Sequence, residues 1–98
     1  MMINFEWDNT KALANLKKHG VTFDEATMVF YDQYARIISD PANSISEDRF
    51  IMLGLSAKLR LLVVCHCYRE DDAVIRIISA RKATAKEANI YKRYYHEK

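Results

Sequence analysis

The sequence predicts a small α+β domain: a mainly antiparallel sheet with two N-terminal helices and a C-terminal helix. Three observations carry this. The chain has 98 residues, half of them apolar, with only two glycines and one proline, which suits one packed domain over residues 1–98 rather than a disordered segment. Three apolar runs, Arg49–Leu55, Leu59–Tyr68 and Val74–Ala80, follow one another with turn residues between them, as in an antiparallel meander. Two Thr-x-x-Glu signatures, Thr22–Glu25 and Thr84–Glu87, mark helix starts on either side of that meander.

The elements follow in order. Met2–Trp7 reads as a short opening strand with Ile3, Phe5 and Trp7 on one face. Asp8 caps a first helix through about Lys18, on which Ala12, Leu13 and Leu16 form a narrow apolar stripe. Gly20, after His19, suits the left-handed residue that ends a helix. At the second helix, Thr22 can accept from the Glu25 N–H while Glu25 reaches back to the Thr22 N–H, and Val21 with Ala26 forms a hydrophobic staple. That helix is expected to run to about Phe30, burying Phe23, Ala26 and Phe30.

Arg36–Ser39 is a candidate short strand, and Asp40-Pro41-Ala42-Asn43-Ser44 a turn, since proline does not sit in a central strand. Gly54–Lys58 makes a hairpin connection. Leu59–Tyr68, the longest apolar run, is the expected central strand, and Glu70-Asp71-Asp72 turns the chain into the next one. From Thr84 a terminal helix runs to about Tyr95 with Ala88, Tyr91 and Tyr95 on one face.

Net charge is only +2 but is unevenly placed. Residues 1–48 carry four Lys/Arg against eight Asp/Glu, and residues 49–98 carry eleven against five. The basic second half favours an anionic partner, although the same charges also serve as plain surface solvation. Cys65 and Cys67 lie two apart on the central strand, so both are expected to pack inward on one face, with His66 on the other. An extended strand argues against a disulfide between them, and the trio is too small a metal-ligand set. With no signal peptide and no long apolar run, a soluble cytoplasmic protein with no membrane contact is expected.

The stretch Arg76–Glu87 sets three cations, Arg81, Lys82 and Lys86, around a strand-to-helix junction, with Arg76 earlier on the strand, as a site for phosphate or another anion would. Arg69 and Arg81 fall at opposite ends of their strands, and register decides which arginines share a face. Each also fits a solvated sheet residue or an ion pair. Lys18 and His19 suit the helix C-terminus electrostatically, and His19 is also a candidate general acid or base. Glu47 and Arg49 flank the first meander strand as a candidate base and cation, or as loop charges. Tyr91, beside Lys86, Lys92 and Arg93, fits helix packing or an RNA-facing surface. There is no glycine-rich phosphate loop, no nucleophile elbow and no metal-ligand set, so no cofactor or metal is expected. A phosphodiester enzyme of this composition would act on RNA, whose 2′-hydroxyl is an internal nucleophile, using a base, cations and a donor for the leaving oxygen.

Phe5-Glu6-Trp7-Asp8, then Lys17 to Ala26, then Ile75 to Thr84, come in an order that resembles the BrnT family of bacterial toxins across nearly the whole chain. The resemblance implies a RelE-like fold, ribonuclease activity that blocks translation, and neutralisation by a cognate BrnA-like antitoxin through which alone operator DNA is bound. It singles out Lys18, His19, Arg69 and Arg81, although Cys65-His66-Cys67-Tyr68-Arg69-Glu70 departs from the Thr-Glu-Arg-Gly-like turn of many relatives. The expected function is then a metal-independent endoribonuclease toxin. Arg69 and Arg81 would hold the scissile phosphate, His19 or Glu47 would move protons, and Lys18 and Lys86 would add positive field. Arg76, Lys82, Lys86 and Tyr91 complete the expected RNA contacts. The alternative is a non-catalytic basic module that docks an acidic protein or nucleic acid.

Overall fold

The structure, a computed structural model, describes residues 3–39 and 48–96, so the turn expected at Asp40–Ser44 and the candidate base Glu47 lie outside the described residues. The element order is β1 (Asn4–Glu6), α1 (Asn9–His19), α2 (Phe23–Met28), β2 (Arg36–Ile38), β3 (Phe50–Leu55), β4 (Leu61–Arg69), β5 (Val74–Lys82) and α3 (Ala85–His96). The five strands form one sheet in the order β1-β5-β4-β3-β2. The β3-β4-β5 meander is antiparallel with β4 central, and β2 adds antiparallel to β3. β1 is shorter than the expected Met2–Trp7 strand and pairs parallel to β5.

Each face of the sheet has its own core. Val21, Phe23, Ala26 and Val29 pack on Leu62, Val64, Ile75, Ile77 and Ala80, with Ile3, Phe5 and Trp7 against them as the alternation of β1 requires. On the other face Ile51, Leu53, Val63 and Cys65 lie beneath Ile90 and Tyr91 of α3.

The Asp8 carboxylate caps α1 by accepting from the Thr10 N–H at 2.8 Å, and Gly20 ends the helix at φ 70°. The apolar stripe expected on α1 is not buried: Leu13 is 70% and Leu16 44% exposed. Asn15 fixes the helix rotation instead. Its buried side-chain amide donates to the Val21 and Ala80 carbonyls (3.0 and 2.8 Å) and accepts from the Ala80 N–H (3.0 Å), which turns Ala12 and Asn15 inward.

α2 stops at Met28, and Phe30 is carried by a 3₁₀ turn over Val29–Tyr31. Thr22 accepts from the Glu25 N–H at 3.0 Å, but the return half of the expected capping box is absent. The Glu25 carboxylate points into the domain. It accepts from Ser56 Oγ and Arg60 Nε, both at 2.8 Å, and forms an ion pair with Arg60. A buried carboxylate gains more from a guanidinium and a hydroxyl than from one backbone N–H. The second box is complete: Glu87 accepts from the Thr84 N–H (2.9 Å) and Thr84 from the Glu87 N–H (3.2 Å). Cys65 is buried as expected, whereas Cys67 is half-buried and outside both cores, because the sheet is less covered toward the β4–β5 turn.

Candidate functional site

Register brings the three candidate arginines onto one face. Arg69 pairs with Val74, Cys67 with Arg76 and Val63 with Arg81, so all three follow the side-chain alternation of Val63, Cys65, Cys67 and Arg69. Arg76 and Arg81 are five residues apart and an unbroken strand would send them to opposite faces. A bulge prevents this: Cys65 pairs with Ser79 and His66 with Ile77, leaving Ile78 as the extra residue.

The arginines do not converge. Arg69 and Arg76 stand one diagonal step apart, about 7–8 Å. Arg81 lies toward the far end of β5, roughly 20 Å from Arg69 at the ~3.3 Å rise of a strand. Their partners differ too. Arg81 holds Glu87 in a two-pronged pair, Nη1–Oε1 2.8 Å and Nη2–Oε2 2.9 Å, and this guanidinium is the main reason the Glu87 carboxyl is lowered to about 2. Arg76 donates to Glu6 Oε2 at 2.8 Å across the β1–β5 pair. Arg69 is exposed and makes no ion pair with any described residue.

The remaining candidates scatter. Lys18 and His19 end α1 beside the β3–β4 hairpin, where Arg60 donates to the Gly20 carbonyl, at the sheet end opposite Arg69. Lys82 and Lys86 are exposed around the β5–α3 junction. Tyr91 is engaged in the fold: its hydroxyl donates to Asp32 Oδ2 at 2.8 Å, and burial followed by this carboxylate holds its pKa well above the ordinary phenol range. Asp32 also accepts from the Tyr34 and Leu55 N–H groups, tying α3 to the end of β3.

At the β4–β5 turn an open cavity of about 580 Å³ is lined by Asp48, Phe50, Cys67, Tyr68, Arg69 and Asp72, within the size range of small-molecule sites. The turn is tight: Glu70, Asp71 and Asp72 take left-handed φ of 53°, 57° and 69° in succession, a costly backbone for residues other than glycine. Behind the cavity His66 is fully buried, edge-on to Phe30 at 4.8 Å, with Nδ1 3.2 Å from the Val64 carbonyl and Nε2 3.3 Å from Tyr68 Oη. Burial lowers the His66 pKa and raises that of Tyr68, so both are neutral at neutral pH. Sequence reading treated His66 only as a rejected metal ligand; a polar residue inside the most apolar run was the available signal.

The sheet thus carries two helices on one face, one on the other, and arginines toward its open end, an arrangement whose function the family match supplies. Residues 7–87 match the family described as the ribonuclease toxin, BrnT, of type II toxin–antitoxin systems. The chain belongs to the BrnT family, and its partner in such a system is an antitoxin. The crystal structure of the Brucella abortus ribonuclease toxin BrnT is similar in fold, with a TM-score of 0.65 and 21% identity over 85% of this chain and 99% of that one. Among curated proteins no match is found. No helix among the described residues is long and apolar enough to cross a membrane.

Proposed function

We propose that this toxin cleaves RNA without a metal ion, by attack of the 2′-hydroxyl on the adjacent phosphate, at the β4–β5 end of the sheet, and that translation is blocked in consequence. One observation carries the location. Arg69 is exposed, has no carboxylate partner among the described residues and, unlike Arg49 and Arg93, lines the cavity, and Arg76 stands one diagonal step away on the same face. A guanidinium held on a strand end suits the two-pronged recognition of a phosphate that gains charge in the transition state. Arg81 enters the same reading at a distance, by anchoring the first turn of α3 over the sheet. The antitoxin of this reading is BrnA-like, covers the basic face and supplies the operator-DNA contact.

The test is incubation of purified toxin with RNA in excess chelator. Metal-free cleavage leaving 2′,3′-cyclic phosphate ends is the expected result. Intact RNA at high protein concentration overturns the enzyme reading in favour of a basic binding module, and an Arg69→Ala variant as active as the parent overturns the location.

A further inference from the structure

His66 is a buried titratable group that the phosphate-holding role of Arg69 leaves unused. A phenylalanine or leucine could fill its place among Phe30, Phe50 and Tyr68 without the cost of burying an imidazole. Its hydrogen bonds define one tautomer. The Val64 carbonyl can only accept, so Nδ1 carries the proton, Nε2 is left as an acceptor, and the Tyr68 hydroxyl donates to it. Tyr68 is 37% exposed and lines the same cavity as Arg69. A fully buried imidazole is thus connected to the hydroxyl of a residue that, like Arg69, lines the cavity, the two side chains leaving β4 on opposite faces at its open end. Phe50, its ring centroid 5.4 Å from that of Tyr68, offers an aromatic surface on which a nucleobase can stack.

We propose that Tyr68 is a catalytic residue of the ribonuclease and that His66 is its positioning residue and proton acceptor. The proposal rests on the cavity being where RNA is cleaved. As the 2′-oxygen attacks phosphorus, Tyr68 Oη takes the 2′-hydroxyl proton and passes its own to His66 Nε2. The P–O5′ bond breaks on the far side of phosphorus, where water protonates the departing 5′-oxygen, and the pair returns its own proton to solvent. The products are a 2′,3′-cyclic phosphate and a 5′-hydroxyl, with the enzyme's protons restored. Arg69 faces the charge that builds on the non-bridging oxygens. The 3.3 Å separation of Nε2 and Oη is long for a working hydrogen bond, and such contacts tighten when substrate binds.

The pair also sets a pH signature. Protonation of His66 removes the acceptor, so cleavage falls on the acid side. The other ionisable groups around the pair are Asp48, Cys67, Arg69 and Asp72 in the cavity; the neighbours from the 3₁₀ turn, β3 and β5 are Phe30, Phe50, Ile75 and Ile77, which do not titrate.

Tyr68→Phe keeps the ring and its packing and removes only the hydroxyl. With metal chelated, its single-turnover cleavage should fall by about 100-fold or more. Its affinity for a 2′-deoxy-substituted, uncleavable oligonucleotide should stay within about threefold of the parent's, a margin of roughly 0.7 kcal/mol. His66→Gln, its fold checked by circular dichroism, should cleave slowly and lose the acid limb of the rate profile. Cleavage by Tyr68→Phe within threefold of the parent, or an acid limb that persists in His66→Gln, overturns the relay. Should His66→Gln fail to fold, Tyr68→Phe decides alone. Arg69→Ala separates the two readings: an inactive Arg69→Ala beside an active Tyr68→Phe sinks only the relay, and an active Arg69→Ala sinks the location.

Discussion

At the residue scale, Arg81 and Glu87 join strand and helix into one charged unit. Glu87 is 17% exposed, caps Thr84 and takes both prongs of Arg81, itself 36% exposed. A carboxyl lowered from 4.5 to about 2 corresponds to about 3 kcal/mol at 1.36 kcal/mol per pH unit, reduced to about 1–2 kcal/mol because the guanidinium is partly screened by water. Folding depresses this pKa, so the stabilisation is present above the ordinary carboxylate range and is lost as pH falls from about 4 to about 2. Arg81→Ala should therefore lower Tm by roughly 5–15 °C at pH 7 and show a smaller deficit at pH 2, measured by thermal melts across that range. The capping role of Thr84 and Glu87 was legible in four consecutive residues. The second use of the carboxylate was not, because it depends on the Arg81 side chain turning over the start of α3.

At the element scale, α2 is fastened to the β3–β4 hairpin by a carboxylate that sequence reading had assigned to a cap. The Arg60 guanidinium is the first cause of the lowered Glu25 pKa, ahead of the opposing effect of burial. Arg60→Ala leaves this carboxylate almost fully buried and without its cation, and should cost about 2–4 kcal/mol in urea denaturation. Thr22→Ala, which removes one hydrogen bond at the helix start, should cost only about 1 kcal/mol. A comparison of the two midpoints tests whether Glu25 serves mainly the helix or the hairpin; a smaller loss for Arg60→Ala would favour the helix. The hairpin is constrained from its other side as well. A Cβ on Gly54 would lie 2.6 Å from Val29 Cγ1 and 2.9 Å from Ala35 Cβ, so Gly54→Ala should destabilise by about 1–3 kcal/mol with an unchanged m-value. Element types were readable from period and caps. The burial of Glu25 was not, since its partners Ser56 and Arg60 are more than thirty residues away.

At the scale of the whole molecule, the sheet separates two surfaces, and the bulge at Ile78 decides what one of them carries. Without it, Arg81 and Arg76 would face apart, a distinction that alternation read from sequence cannot make because it assumes an unbroken strand. The surplus of cations after residue 48 is accordingly not one continuous patch. Arg69 and Arg76 occupy the β4–β5 end and Arg81 is tied to α3, while Lys11, Lys17 and Lys18 of the acidic first half lie on α1 against the opposite face. RNA bound at the β4–β5 end should register only the first group. Each single-strand phosphate neutralised contributes about 0.7 to the slope of log affinity against log salt, through release of its counterion. Anisotropy titrations of an uncleavable oligonucleotide from about 50 to 300 mM salt should therefore lose about 0.7 from that slope in Arg69→Ala and nothing in Lys11→Ala. Equal losses in both variants would mean that RNA wraps both faces of the domain, and an unchanged slope in Arg69→Ala would remove this arginine from the phosphate.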